Sequence, residues 1–269
     1  MKQTETEGLV LFSRPYREKD RLVKIFTEQY GKAMFLVRRG STPNFMYKTA
    51  IQPLNGACYI ARISKDRLSF LNSVKEEFSF PKLQLDFMRH SYATYMASLV
   101  NAAIEDHQPD PLLYGFFKQS LQYLNDDYDA EVILNIFELQ MMKRFGVQPQ
   151  FSKCAICGEK RLNLPFDYSS EAGGVICYRH FEQYPRRYHA HPRAVYFARL
   201  FQNITLDQIR SIHLSDETKQ ELRALIDQLY EEYIGLNLKS KQFIDKMHHA
   251  SQALYKAQQR LIDKKKEHE

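Results

Sequence analysis

Three cysteines and a histidine carry the clearest chemistry in this chain. Cys154-Ala155-Ile156-Cys157-Gly158 sets two thiols two residues apart, just ahead of a glycine. After an interval of 19 residues comes Cys177-Tyr178-Arg179-His180. The whole pattern, C-x2-C-x19-C-x2-H, is close to the ligand spacing of tetrahedral structural zinc sites. Three thiolates and an imidazole fill a four-coordinate ion, so the reading is a closed, structural Zn2+ site with no position open to substrate. Gly158 can adopt the left-handed conformation that turns backbone amides toward the sulfurs, and Gly173-Gly174 supplies a turn before Cys177. His189 and His191 compete with His180 for the fourth position. The rival readings are unrelated thiols or a redox pair, but paired knuckles seldom arise by chance and no βαβ pattern surrounds them. The fourth cysteine, Cys58, falls in a strand and reads as a buried, inert thiol.

A second group is basic. The net charge of +6 is unevenly spread: +6 over residues 1–80, −4 over 81–150, +4 over 151–199 and zero beyond. Arg14, Arg17, Lys19, Arg21, Lys24, Arg38 and Arg39 crowd the start of the chain, and Lys48 follows. On one face they would form a groove that tracks phosphates, with Tyr16, Phe35 and Tyr47 as candidates to stack bases. Phe35 alternates with core-type neighbours and is expected in the core, whereas Tyr16 and Tyr47 fit either role. Lys160, Arg161, Arg179, Arg186, Arg187 and Arg193 give the cysteine segment its own charge, as an extension of that surface or as a solvated one. A localised basic surface suggests an anionic partner, nucleic acid first among them. The bland alternative is a mildly basic, solvated exterior.

The elements that must position these residues change character at Pro81. Glu7–Phe12, Arg21–Thr27, Ala33–Val37, Leu54–Ile63 and Leu68–Val74 read as five short strands, a number that suits a small OB-type β-barrel. Apolar residues at helical spacing predict helices over 83–103, 112–124 and 130–145, the last stopped by Gly146 and Pro149. Their Met and aromatic stripe is what core packing demands. Residues 147–192 read as a compact irregular segment. Helices are predicted again over 194–202, 205–212, 216–236 (with Ser215 as N-cap) and 240–263. The fold class is therefore α+β: a barrel domain at 1–80, a helical domain from 81–150 and 193–263, a zinc-binding insert at 151–192 and a frayed tail at 264–269.

Several function classes are excluded or disfavoured. No apolar run approaches the roughly 18 residues that a membrane span needs, and the start of the chain lacks the features of a signal peptide, so a cytoplasmic protein is expected. There is no Walker A loop, HExxH or GxSxG, which argues against an enzyme and a small-molecule substrate. Asp126, Asp127 and Asp129 lie between two helices, where capping is the ordinary role of such residues.

In order and spacing the residues resemble the DNA repair protein RecO family. Gly8-Leu9-Val10-Leu11 precedes Arg14-Pro15-Tyr16-Arg17-Glu18-Lys19-Asp20-Arg21-Leu22-Val23, and Tyr30-Gly31-Lys32 and Val37-Arg38-Arg39-Gly40 follow. Gly146-Val147-Gln148-Pro149, the knuckles and Leu238-Lys239-Ser240-Lys241-Gln242-Phe243 extend the likeness over nearly the whole chain. The chain departs from the family at Ser41-Thr42-Pro43-Asn44, where a basic stretch is usual, and at His180 in place of a cysteine. The resemblance implies a recombination mediator of the RecFOR pathway. Such a protein binds single- and double-stranded DNA, anneals complementary strands and, with RecR, helps load RecA on DNA coated with single-stranded-DNA-binding protein (SSB). The alternative it leaves is an adaptor for the SSB tail or RecR with only secondary DNA contact.

Overall fold

A computed structural model of the chain describes residues 3–209, 212–248 and 250. Five strands come first: β1 (Gln3–Tyr16), β2 (Asp20–Thr27), β3 (Gly31–Val37), β4 (Gly56–Arg62) and β5 (Ser69–Phe78). They close a barrel in the order β1-β2-β3-β5-β4, an OB-like arrangement. All neighbours are antiparallel except β3 and β5, which pair in parallel at Phe35↔Ser69 and Leu36↔Phe70. β1 is longer than the alternation of apolar residues suggests. Its polar first half, Gln3 to Leu9, pairs with β4, and a bulge between Val10 and Phe12 bends it so that its second half continues along β2.

Val10, Val23, Ile25, Phe35 and Tyr59 fill the barrel interior. The outer face of β2 is covered too. Phe26 belongs to the helical core and meets Tyr114 edge-on, with centroids 5.5 Å apart. Gly31 explains the close seating. At φ +69° it occupies left-handed space, and a Cβ there would stand 2.2 Å from the Gln108 carbonyl oxygen.

The helices are α1 (Pro81–Leu85), α2 (Phe87–Ala103), α3 (Pro111–Asn125), α4 (Ala130–Met141), α5 (Pro192–Phe201) and α6 (Asp216–Tyr233), with 239–248 helical as well. The run expected at 83–103 breaks at Asp86, whose carboxylate accepts the N–H groups of Met88 and Arg89 and so begins a new helix. Asp110, Asp129 and Ser215 cap α3, α4 and α6 in the same way. Asp127 instead pairs with Lys82 and Arg89, so the acidic loop at 126–129 is spent on caps and ion pairs. The helix expected at 130–145 ends at Met141 and tightens into a 3-10 turn, Met142–Phe145, closed by left-handed Gly146. Of the helix expected at 205–212, the described residues form a 3-10 turn, Leu206–Gln208, held by a Thr205/Gln208 capping box. The expected end of the 240–263 helix and the tail at 264–269 lie outside the described residues. Within 147–192, read as irregular, a hairpin forms from β6 (Phe166–Ser169) and β7 (Gly174–Cys177). Among the described residues no helix is long and apolar enough to cross a membrane.

Candidate nucleic-acid interface and metal centre

One carboxylate organises the basic rim of the barrel. Asp20 begins β2, and its Oδ1 accepts the backbone N–H of Arg39 at 2.9 Å. Its carbonyl accepts the Ser41 hydroxyl at 2.9 Å, and the Lys19 carbonyl accepts the Ser41 N–H at 2.9 Å. The β1–β2 turn is thereby joined to the turn after β3. Arg17 and Arg39 both stand at positive φ, 52° and 56°, which lets each chain segment reverse sharply at the rim. Arg14, Arg17, Lys19, Arg38, Arg39 and Lys48 are exposed, and Arg21 is half-buried beside them. Arg21 and Lys48 line one cleft of about 340 Å³ together with Thr42, Pro43 and Gln52. Tyr16 is half-buried with the Arg17 guanidinium 5.2 Å from its ring centroid, a pairing that leaves an aromatic and a cation side by side.

Lys24 does not join this rim. Its side chain is buried and paired with Asp106, which Lys32 also approaches at 3.6 Å. Period-two alternation places Lys24 on the outward face of β2, but that face is covered by residues 104–108, so the exposure the pattern suggests is lost. Phe35 is fully buried, as its neighbours indicated. Tyr47 is half-buried, edge-on to Phe45 at 5.9 Å and packed on the barrel core, which leaves only part of its ring free. Cys58 is only partly buried, and its thiol donates to Glu5 Oε1 at 3.2 Å; burial first, then Glu5, raises its pKa.

Three cations escaped the sequence reading. Arg62 is the cross-strand partner of Phe70, and the Arg38 guanidinium lies 5.8 Å from that ring. Lys65 and Arg67 follow in the exposed β4–β5 turn. The parallel β3–β5 pairing brings this turn toward the end of β3, a long-range consequence of topology that no local pattern announces.

The four residues of the knuckle pattern converge. Cys154, Cys157 and Cys177 Sγ and a ring nitrogen of His180 lie within 4.8 Å of one another. Cys157 and Cys177 Sγ are 3.7 Å apart, and His180 Nδ1 is 3.4 Å from Cys177 Sγ and 3.6 Å from Cys154 Sγ. A tetrahedral ion with ordinary zinc bond lengths needs edges of about 3.8 Å between sulfurs and about 3.6 Å from sulfur to nitrogen. The local chain explains the convergence. Gly158, at φ +74°, lets its N–H reach the Cys154 carbonyl at 3.0 Å, and Ala155 donates to Val175 on β7 at 2.8 Å, which seats the first knuckle against the second. Burial pushes the Cys177 thiol up to about 11. Burial also opposes ionisation of Cys154, but backbone N–H groups of Cys157, Cys177 and Ile156 outweigh it and hold that thiol below its ordinary value. The rival histidines are elsewhere: His191 Nδ1 caps α5 by accepting the Arg193 N–H, and His189 Nε2 lies 3.1 Å from the Pro185 carbonyl.

The basic residues around this centre divide. Arg161 pairs with Glu159 at 2.7 Å and Arg187 with Asp167 at 3.0 Å, while Lys160, Arg179, Arg186 and Arg193 face solvent.

A closed five-stranded barrel with a basic rim, followed by a helical domain that carries a Cys3His group, defines the class. The sequence comparisons narrow it further. The model of "Recombination protein O N terminal" matches residues 1–80 and that of "Recombination protein O C terminal" matches residues 84–242. A DNA repair protein RecO of Enterococcus faecalis is 47% identical over 243 residues, covering 90% of this chain and 92% of the relative. The RecO of Lactococcus lactis subsp. cremoris is 45% identical, covering 92% and 97%. That of Streptococcus thermophilus is 42% identical, covering 92% and 95%. The chain belongs to the recombination protein O family of DNA repair proteins.

Proposed function

We propose that this chain is a non-enzymatic recombination mediator. It binds single- and double-stranded DNA at the barrel rim, anneals complementary strands and, with RecR, helps load RecA on SSB-coated single strands at the nucleoid. The observation that carries this reading is the joining through Asp20 of two basic turns, one with exposed Arg17 and Lys19 and the other with exposed Arg38 and Arg39. Cations on separate turns meet successive phosphates without reading base edges, and the half-exposed Tyr16 offers a face on which any base can stack. Sequence-tolerant contact of this kind leaves the Watson–Crick edges of a held strand free, which is the condition annealing requires.

The domain organisation follows the same reading: barrel at 1–80, helical domain from 81–150 and 193–263, insert at 151–192. The Cys3His group holds Zn2+, with Cys154, Cys157, Cys177 and His180 as ligands. The metal closes the insert around its hairpin and leaves no coordination position for chemistry.

An adaptor role has its own support. Leu113, Phe116 and Met141, with Lys143 and Arg144, line a cleft of about 650 Å³ between α3, the end of α4 and the segment that follows the 3-10 turn. Arg144 is paired with Asp110 at 2.7 Å, so an apolar floor beside the exposed Lys143 is what would receive an acidic, apolar peptide such as an SSB tail.

The test is binding of a fluorescent single-stranded oligonucleotide across a salt series, with annealing of complementary strands assayed on the same preparation. Tight, salt-steep binding with accelerated annealing supports the mediator. Absence of both, with capture of a labelled acidic tail peptide, would move the function to the adaptor.

A further inference from the structure

Five charged side chains are buried in the described residues: Lys24, Lys32, Glu138, Asp167 and Arg199. Four have an opposite charge in contact. Lys24 and Lys32 share Asp106, Glu138 holds Arg223, and Asp167 holds Arg187. Arg199, on α5 and only 5% exposed, has no carboxylate within ion-pair distance among the described residues. A buried guanidinium without a counter-charge costs several kcal/mol, so its environment should contain a negative charge of another kind.

Its contacts point to the metal centre. Arg199 Nε donates to the Phe151 carbonyl at 3.0 Å, and one terminal nitrogen donates to the carbonyls of Ser152 at 3.2 Å and Lys160 at 3.0 Å. Those carbonyls sit at the two ends of the loop that bears Cys154 and Cys157, a loop also closed by the Cys154 N–H on the Glu159 carbonyl at 2.8 Å. The guanidinium lies 3.9 Å from the centroid of Phe166, whose cross-strand partner is Cys177. One side chain therefore touches the supports of both knuckles.

We infer that Arg199 is the positioning residue and built-in counter-charge of the metal centre. The inference rests on the Cys3His metal reading above. Three thiolates around a divalent ion with a neutral imidazole carry one net negative charge, and Arg199 supplies the matching positive charge from inside the fold. Its fork fixes the loop ends at the separation the two cysteines require, so the site is prepared before the ion arrives.

The test compares Arg199→Gln, which keeps hydrogen-bonding capacity but loses the charge, with Arg199→Lys, which keeps the charge but loses the fork. Zinc affinity of the full chain would be measured by competition with a chromophoric chelator, and thermal unfolding followed with and without zinc. The expected result is a 10–100-fold weakening of zinc binding in Arg199→Gln, the range typical of outer partners of metal ligands, and a clearly smaller loss in Arg199→Lys. In Arg199→Gln the unfolding shift should be larger in the zinc-loaded than in the metal-free protein. Equal zinc affinity in both variants and the wild type, with equal unfolding shifts in both metal states, would reduce Arg199 to an ordinary loop anchor and overturn the inference. A wild-type chain that takes up no zinc would overturn the metal reading itself, and is read directly in the same titration.

Discussion

Replacing Arg38 and Arg39 together by alanine probes the barrel rim with the least risk to the fold. Both side chains are exposed, neither forms an ion pair among the described residues, and the contact that organises the turn is the Arg39 backbone N–H on Asp20, which alanine retains. The magnitude follows from counting cations. Arg14, Arg17, Lys19, Arg21, Arg38, Arg39 and Lys48 are the seven that the proposed reading assigns to phosphates. Each phosphate neutralised on a single strand contributes about −0.7 to the slope of log affinity against log salt, so full engagement gives about −5 and the double variant about −3.5. Raising salt from about 50 to about 200 mM then weakens wild-type binding by about three decades and variant binding by about two. Fluorescence anisotropy of a labelled oligonucleotide at four or five salt concentrations measures both slopes. Lys24→Met in the same series should leave the slope unchanged, because Lys24 is occupied by Asp106. A double variant with wild-type slope and affinity, or a Lys24→Met slope that falls by about 0.7, would refute the assignment of the rim.

Other outcomes are expected of the scaffold. Gly31→Ala should lower stability by about 2 kcal/mol or more, because a Cβ at φ +69° is strained and would also meet the Gln108 backbone. An unchanged urea midpoint would contradict the seating of the barrel on the helices. Arg223→Met should cost about 3–5 kcal/mol by stranding Glu138, which is fully buried and also accepts from Tyr95 at 2.8 Å, whereas Arg223→Met with Glu138→Leu should recover much of it; urea unfolding of the single and double variants decides. Removing zinc with a strong chelator should raise hydrogen exchange at the amides of β6 and β7 while leaving the barrel strands protected. Equal protection of the hairpin before and after chelation would mean that the metal does not hold the insert together.

The Cys3His group was legible because spacing along the chain is itself the geometric requirement: two residues between donors puts both on one turn, whatever the rest of the fold does. The barrel strands were legible for a related reason, since their inward residues repeat with the period of the strand. What could not be read was anything set by a second layer. Lys24 looks solvent-facing in an alternating strand, and only the packing of residues 104–108 against β2 buries it. Arg62 reaches the rim through the parallel β3–β5 pairing, between strands separated by the whole of β4. The β6–β7 hairpin has four residues in each strand, too few for a period to show. Asp86 was visible as a residue but not as a boundary, because the apolar stripe continues on both sides of it while the capping bonds belong to backbone geometry.

The burial of Lys24 also bears on how the rim works, because it shows that the barrel has two ends of different character along β2. At the Thr27 end, Gly31, Lys32 and Phe26 are locked to the helical unit through Gln108, the Asp106 ion pairs and Tyr114. Glu7 strengthens the same contact by accepting from Tyr114 at 2.8 Å and from Lys118 at 2.6 Å. At the Asp20 end the strand begins in the basic rim. The eight residues of β2 separate these ends by about 25 Å, longer than a Debye length at physiological salt. Lys24, Lys32 and Lys118 are taken up by Asp106 and Glu7 in this contact, whereas the cations that the proposed reading gives to phosphates form no ion pair among the described residues.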